Sequence, residues 1–318
     1  MKRCCIIYNE PQEGALADEL DVLDQVAFIE QHLKDLGITV YRKGITKQFM
    51  DEIAVLAAEK PDFVFNLVES INNKGELNYF VPALLNMYSI PYSGNPLEAL
   101  FITTNKTLAS KIMKDAGINN PASYKPSQYK SLKPGRKYIV KPIWEDGSMG
   151  ITKESVFVCE SGYEEKLKSL DDSHWFIEDF IDGREFNISI LAGNNGPEVM
   201  PPAEIVFVNY DENRPRIIDF KAKWEMESFE YINTVRDFPR LNSNLAQNLK
   251  ETALRCWYLF GLKGYARVDV RTDSNDNVYV IEINGNPCIS PDGGYVAATK
   301  EAGYPFIDVI KRIINDLN

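Results

Sequence analysis

The chain has 318 residues, 44% hydrophobic and 25% charged, a composition that suits a soluble globular protein of two or three lobes better than a single core. Its formal net charge of -11 repels nucleic acid and anionic membrane surfaces, and no apolar run could span a bilayer, so neither is an expected partner. Two distant histidines, His32 and His174, argue against a His-rich zinc site, and five cysteines without CxxC or disulfide-framework spacing suit a reducing, cytoplasmic setting.

In chain order, Arg3 to Tyr8 predicts a buried strand that is too short, and too soon followed by Asn9-Glu10, to be a secretory leader. Val22, Val26, Ile29, Leu33 and Leu36 recur at helical spacing and predict a helix over 20–36, stopped by Gly37. A strand at 38–41, a helix at 51–59 and a strand at 63–67 complete a β-α-β-α-β order, which implies a parallel sheet covered by helices. Asn66 and Glu69 then fall at a strand's carboxyl end, the edge at which open α/β sheets take ligands. Pro91 to Pro96 reads as a turn between lobes, and Thr103 or Thr104 is expected to cap a helix running to Ala116. The Pro- and Lys-rich stretch 121–136 reads as loop. Short β-branched or aromatic runs at 138–141, 155–158, 175–180, 186–191 and 204–208 predict an α+β region with much antiparallel sheet. A helix over 245–260 precedes strands at 266–270 and 278–284.

Those last two strands carry the strongest chemical signal. With a side-chain period of two, Arg267 and Asp269 share a face, and Val280, Glu282 and Asn284 are expected to share a face in the partner strand. The linker 272–277 is rich in hairpin-turn residues, so the strands should pair antiparallel and bring Asp269 near Glu282. Two carboxylates so placed repel unless a cation joins them, and oxygen ligands from Asp, Glu and Asn suit magnesium. A solvated hairpin with Arg267 paired to Asp269 is the alternative. Lys106 lies in the first turn of a helix, where the dipole disfavours a cation unless an anion is close, and Lys141 ends the apolar run 138–141. Both point to a bound phosphate, or else to lysines snorkelling into solvent. Gly147, Ser148 and Gly150 form a short segment able to close over phosphates, although neither a P-loop nor a GxGxxG pattern is present. Glu178, Phe180 and Glu185 place two carboxylates around a hydrophobic strand and turn, suited to an adenine edge and ribose hydroxyls.

Taken in order over nearly the whole chain, Thr104-Asn-Lys106, Ile139-Val-Lys141-Pro, Gly147-Ser148-Met-Gly150, Phe176-Ile-Glu178-Asp-Phe180 with Glu185, Lys223-Trp224, Arg267-Val-Asp269 and Glu282-Ile-Asn284-Gly-Asn-Pro287 resemble the ATP-grasp superfamily in its D-alanine-D-alanine ligase branch. The resemblance implies an ATP-grasp fold, an α/β N-terminal lobe (1–95) followed by two α+β lobes (96–183 and 184–318) that clasp ATP. It implies that Lys106, Lys141 and Lys223 bind ATP phosphates, with Ser148 closing over them. Glu178, Phe180 and Glu185 hold adenine and ribose in that comparison. Asp269, Glu282 and Asn284 ligate two magnesium ions, for which manganese can substitute, and Arg267 steadies developing charge. Arg267, Ser148 and Lys223 are the implied catalytic groups. The implied reaction is ATP-dependent ligation of a small carboxylate to an amine through an acyl phosphate, in a cytoplasmic homodimer.

The substrate end departs from that pattern. The N-terminal loop reads Asn9-Glu-Pro-Gln-Glu-Gly14, Asn66-Leu-Val-Glu69 stands in place of a His-Gly segment, and Pro287-Cys288 replaces a Pro-Gly pair. Glu69, Cys288 and Ser290 are therefore the candidate substrate residues. Amino acids or related small molecules are the expected substrates, D-alanine is not assumed, and two alternatives stand: a D-alanine-D-alanine ligase with divergent loops, and a nucleotide binder that has lost ligation.

Overall fold

The computed structural model describes residues 2–145, 147–212 and 214–318, with Asp18 by its backbone alone. β1 (Arg3–Asn9), α1 (Ala17–Asp35), β2 (Thr39–Ile45), α2 (Phe49–Glu59) and β3 (Phe63–Leu67) form the expected parallel sheet in the order β2-β1-β3. Alternation divides its residues between two cores. Cys4, Ile6, Phe63 and Phe65 pack with Val22, Val26, Ile29 and Leu33 of α1, whereas Cys5, Ile7 and Val64 pack with Ile53 and Leu56 of α2 and with Val81 and Leu85 of α3 (Phe80–Met87).

A break then separates α4 (Leu97–Thr104) from α5 (Lys106–Asp115). The cap is neither of the expected threonines. Asn105 accepts from the Leu108 N-H at 2.9 Å, while Thr103 donates back to the Ala99 carbonyl and Thr104 receives the Asn78 amide. Both hydroxyls are already inside a helix, where bonding to local partners competes with capping. Lys106 consequently occupies the first helical position of α5.

β4 (Ser123–Tyr124) lies in the stretch read as loop. It joins β5 (Lys137–Pro142), β6 (Val156–Val158) and β7 (Trp175–Asp179), with α6 (Tyr163–Lys168) between the last two, in an antiparallel sheet ordered β4-β7-β5-β6. A larger antiparallel sheet follows, built from β8 (Glu185–Leu191), β9 (Glu198–Val199), β10 (Ala203–Phe207), β11 (Thr234–Asp237), β12 (Tyr265–Thr272) and β13 (Val278–Asn284). Its order is β11-β10-β8-β12-β13, with β9 beside β8. α7 (Phe220–Trp224) and α8 (Phe229–Asn233) interrupt it between β10 and β11, and α9 (Ser243–Leu259) covers one face. On that face Leu245, Leu249, Ala253 and Trp257 bury Phe186, Ile188, Val268, Val270, Val280 and Ile283. The other face carries Glu185, Asn187, Ser189, Arg267, Asp269, Arg271, Glu282 and Asn284.

The phase of β13 differs from the expected strict alternation. Asp269 pairs with Glu282 but Val270 pairs with Val280, so Ile281 is an extra residue that bulges from the ladder. Val280 and Ile283, three apart, both reach the α9 side, and Glu282 and Asn284 lie opposite Val280 rather than beside it. α10 (Gly294–Glu301) and α11 (Phe306–Ile314) bring the chain back, so that Val309, Ile310 and Ile313 share a core with α1 and β1. Among the described residues no helix is long and apolar enough to cross a membrane.

Candidate active site

The bulge at Ile281 gives the hydrophilic face of the large sheet its geometry. Register places Asn187 of β8, Asp269 of β12 and Glu282 of β13 in one row across three strands, and Ser189, Arg267 and Asn284 in the next. Arg267 grips Asp269 with two hydrogen bonds of 2.7 and 2.8 Å, and the Asn284 amide donates to the same carboxylate at 3.1 Å. Burial opposes the arginine's charge, but the bidentate Asp269 outweighs it and raises the guanidinium's pKa. The hairpin alternative, an Arg267–Asp269 pair, is thus present as a contact, although not as a solvated one: Asp269 is 5% exposed.

Glu282 takes its cation from another element. Lys106, at the start of α5, stands 3.0 Å from its carboxylate and donates to the Glu145 carbonyl at 2.6 Å. A lysine there opposes the helix dipole at a cost of about 0.3–1 kcal/mol, which an acid across the cleft offsets. Burial alone would raise the Glu282 pKa. The charges of Lys106, Lys223 and Lys141 override it and hold the carboxyl at about 2.

Lys141 on β5 is ion-paired with Glu178 on β7, and both are buried, 9% and 6% exposed. Here burial wins, pushing the Glu178 carboxyl up in spite of its lysine, and Glu185 is pushed up likewise with Arg271 3.6 Å away. The Arg271 guanidinium stacks over the Phe180 ring at 4.7 Å, and the Phe180 N-H is used in pairing to the Lys137 carbonyl. Ser148 sits at φ +67° between Gly147 and the turn to Gly150 and donates to the Ile218 carbonyl at 2.7 Å; the Trp224 indole N-H meets the Gly147 carbonyl at 3.3 Å. The glycine segment is thereby tied to the helix carrying Lys223, whose charge reaches both Glu185 and Glu282.

Lys106, Lys141, Lys223, Glu178, Glu185, Arg267, Asp269, Glu282 and Asn284 therefore converge between the two antiparallel sheets. Among the described residues no three of His, Cys, Asp and Glu are grouped closely enough to hold a metal ion by themselves. The two carboxylates and the Asn284 carboxamide are nonetheless all oxygen donors on one surface. That set fits magnesium, which leaves coordination positions to phosphate oxygens.

Glu69, Cys288 and Ser290 lie apart from this cluster, where the carboxyl ends of β1 and β3 meet the loop after β13. Glu69 is held through its N-H to Asn9, and Asn286 links the Val68 carbonyl to the Tyr265 hydroxyl. The Cys288 thiol donates to Asp21 at 3.1 Å and Ser290 to the other oxygen of Asp21 at 2.7 Å. Burial, then the charge of Asp21, pushes the thiol up to about 12, so it is a protonated donor at neutral pH. Asp21, Arg236 and Asn286 were not singled out in the sequence. Asp21 reads as one more polar position on an amphipathic helix, and Arg236 sits on a four-residue strand with no alternation to reveal it. The Arg236 guanidinium lies within 3.4–3.7 Å of where a Gly294 Cβ would stand, at the start of α10.

The family described as D-ala D-ala ligase C-terminus matches residues 127–315. A D-alanine--D-alanine ligase of Carboxydothermus hydrogenoformans is 28% identical over 288 residues, covering 86% of this chain and 88% of the relative. In fold, the chain is similar to the D-alanine--D-alanine ligase of Bacillus anthracis complexed with ATP (TM-score 0.75, 18% identity, 99% and 97% of the two chains). It is similar also to the VanG D-Ala:D-Ser ligase of Enterococcus faecalis (TM-score 0.74, 16% identity, 99% and 98%). Since the family match spans more than half of the sequence, the chain belongs to the D-alanine-D-alanine ligase family and is an ATP-grasp ligase that forms carbon-nitrogen bonds.

Proposed function

We propose that the chain joins a small carboxylate, an amino acid or a close relative, to an amine at the expense of magnesium-ATP, through an acyl phosphate. The observation that carries this reading is the Asp269–Glu282 pair, directly opposed on adjacent strands, with the charges of Lys106, Lys141 and Lys223 converging on Glu282. So many fixed cations around a part-buried acid suit a ligand that brings its own negative charge. Asp269, Glu282 and Asn284 would hold magnesium, which supplies charge neutralisation at the phosphate oxygens when bound. Lys106, Lys141 and Lys223 then orient the triphosphate, and Ser148 with its neighbouring N-H groups closes over it. Glu178, Glu185 and the strand end at Phe180 receive the adenosine.

In the reaction the substrate carboxylate oxygen attacks the γ-phosphorus, and the bond to the β-phosphate oxygen breaks to release ADP. The amine nitrogen then attacks the acyl carbon, phosphate leaves, and the ammonium proton is lost. Arg267 lies beside the metal row, placed to stabilise oxyanion charge in both steps.

The acids Asp21 and Glu69, with Cys288 and Ser290, form the substrate end, and this acidic cluster suits a substrate bearing an ammonium group. The relatives named for D-alanine support an amino acid, and the VanG ligase, named for D-Ala:D-Ser, illustrates a fold neighbour with a different second substrate. The departures at Asn9-Glu-Pro-Gln-Glu-Gly14, Asn66-Leu-Val-Glu69 and Pro287-Cys288 favour a partner other than D-alanine alone. A D-alanine-D-alanine ligase with divergent loops is the second reading. The test is a matrix of carboxylates and amines with magnesium-ATP, scored by phosphate release and product mass. Robust dipeptide formation from D-alanine alone would select the second reading, and ATP binding without turnover for any pair would leave a nucleotide binder.

A further inference from the structure

Among the described residues only two buried side-chain nitrogens are without a hydrogen-bond partner, Asn187 Nδ2 and Arg271 Nε. Both lie on the hydrophilic face of the large sheet. Arg271 pairs in register with Glu185, and Asn187 occupies the row of Asp269 and Glu282. Arg271 spends its remaining nitrogens on the Arg216 and Gly183 carbonyls and on Glu185, so it is anchored as part of the wall. Asn187 is different. The acid paired with it in register, Asp269, has both oxygens engaged by Arg267 and one also by Asn284. A buried donor that bonds to neither Asp269 oxygen is satisfied by an oxygen that arrives with the ligand.

Resting on the ATP reading above, we propose that Asn187 is a further ligand-contact residue, its carboxamide N-H donating to a phosphate oxygen of the nucleotide held over Asp269 and Glu282. A carboxamide at this row offers a donor without adding a third negative charge to the two carboxylates that the site already carries. An aspartate of the same shape would offer only acceptors and would repel the phosphate. A threonine would keep a donor hydroxyl in a smaller side chain. Neither the helix-facing neighbours Phe186 and Ile188 nor the ladder depends on the choice, because the side chain projects to the opposite face.

The test compares the wild-type chain with N187D, N187A and N187T by calorimetric titration with the magnesium complex of a non-hydrolysable ATP analogue, alongside thermal melting with and without it. We expect N187A to weaken binding about 10-fold, N187D more than N187A, and N187T to recover part of the loss, with unliganded melting temperatures close to wild type. In steady-state assays the KM for ATP rises while that for the carboxylate stays. N187D binding as tightly as wild type overturns the proposal, since an acceptor would then serve as well as a donor. So does a lowered unliganded melting point with an unchanged ligand-induced rise, which marks a purely structural amide. If the wild-type chain itself gives no binding, it is the nucleotide reading that fails, and the two failures are told apart in one experiment.

Discussion

At the residue scale, the site is a set of charges that would be costly singly and are tolerable together. Glu282 shows this most clearly, because burial and three lysines pull its pKa in opposite directions and the lysines prevail. Its folded pKa, about 2, lies below the usual carboxylate value, so its contribution to stability is fully present above about pH 4.5 and is lost as pH falls towards 2. Glu282→Gln should therefore lower stability at pH 7 by up to about 3 kcal/mol. The gap should close in acid, as followed by denaturant unfolding from pH 7 to pH 2.5. A gap that stays constant across that range would contradict the assignment of charge. The Cys288 thiol, raised to about 12, should resist iodoacetamide at pH 7.5 far more than a free thiol does. Rapid carbamidomethylation seen by peptide mass mapping would show that burial and Asp21 do not hold it protonated.

At the element scale, register decides which side chains meet. The sequence announced β3 and β13 at their observed bounds because both are short, apolar and flanked by polar or turn residues. It could not announce the extra residue at Ile281, since a bulge leaves composition unchanged and only cross-strand pairing exposes it. The cap of α5 was misplaced by one or two residues for a related reason. Threonine and asparagine are both good caps, and the choice fell to Asn105 once Thr103 and Thr104 had partners inside α4 and on Asn78. Asn105→Ala should cost about 1 kcal/mol and, because Lys106 begins the helix, should weaken nucleotide affinity as well. A stability loss with unchanged affinity would separate the cap from the site. Glycines fix two further contacts. A Cβ on Gly285 would stand 2.9 Å from Leu100 Cδ2 and 3.2 Å from Thr103 Oγ1, so Gly285→Ala should cost roughly 1–3 kcal/mol in chemical denaturation. At Gly183 the clash is with the Thr272 backbone carbonyl, which has no rotamer to escape into, and the loss should be larger.

For the whole molecule, the chain returns on itself. α11 packs against α1 in the same core as β1, and the loop from Cys288 to Ser290 reaches Asp21 on α1, 267 and 269 positions away in sequence. Contacts of that span explain what the sequence concealed. The cluster proposed to take phosphate and metal was legible as a cluster because its residues lie on local motifs, a helix start, a strand end and a hairpin, each with its own periodicity. For the proposed substrate end the sequence offered only Glu69, Cys288 and Ser290. Asp21, Arg236 and Asn187 acquire meaning from neighbours brought in by folding, and no local pattern distinguishes them from surface polar residues.

The central claim is that Asp269, Glu282 and Asn284 hold magnesium for phosphoryl transfer to a carboxylate. It is tested most directly by magnesium-dependent ATP turnover in Glu282→Gln, measured with the best substrate pair from the matrix and with circular dichroism as the control for folding. The account predicts a folded variant whose turnover falls at least 100-fold and does not respond to added magnesium. A folded variant that keeps wild-type turnover and the wild-type magnesium dependence would contradict it.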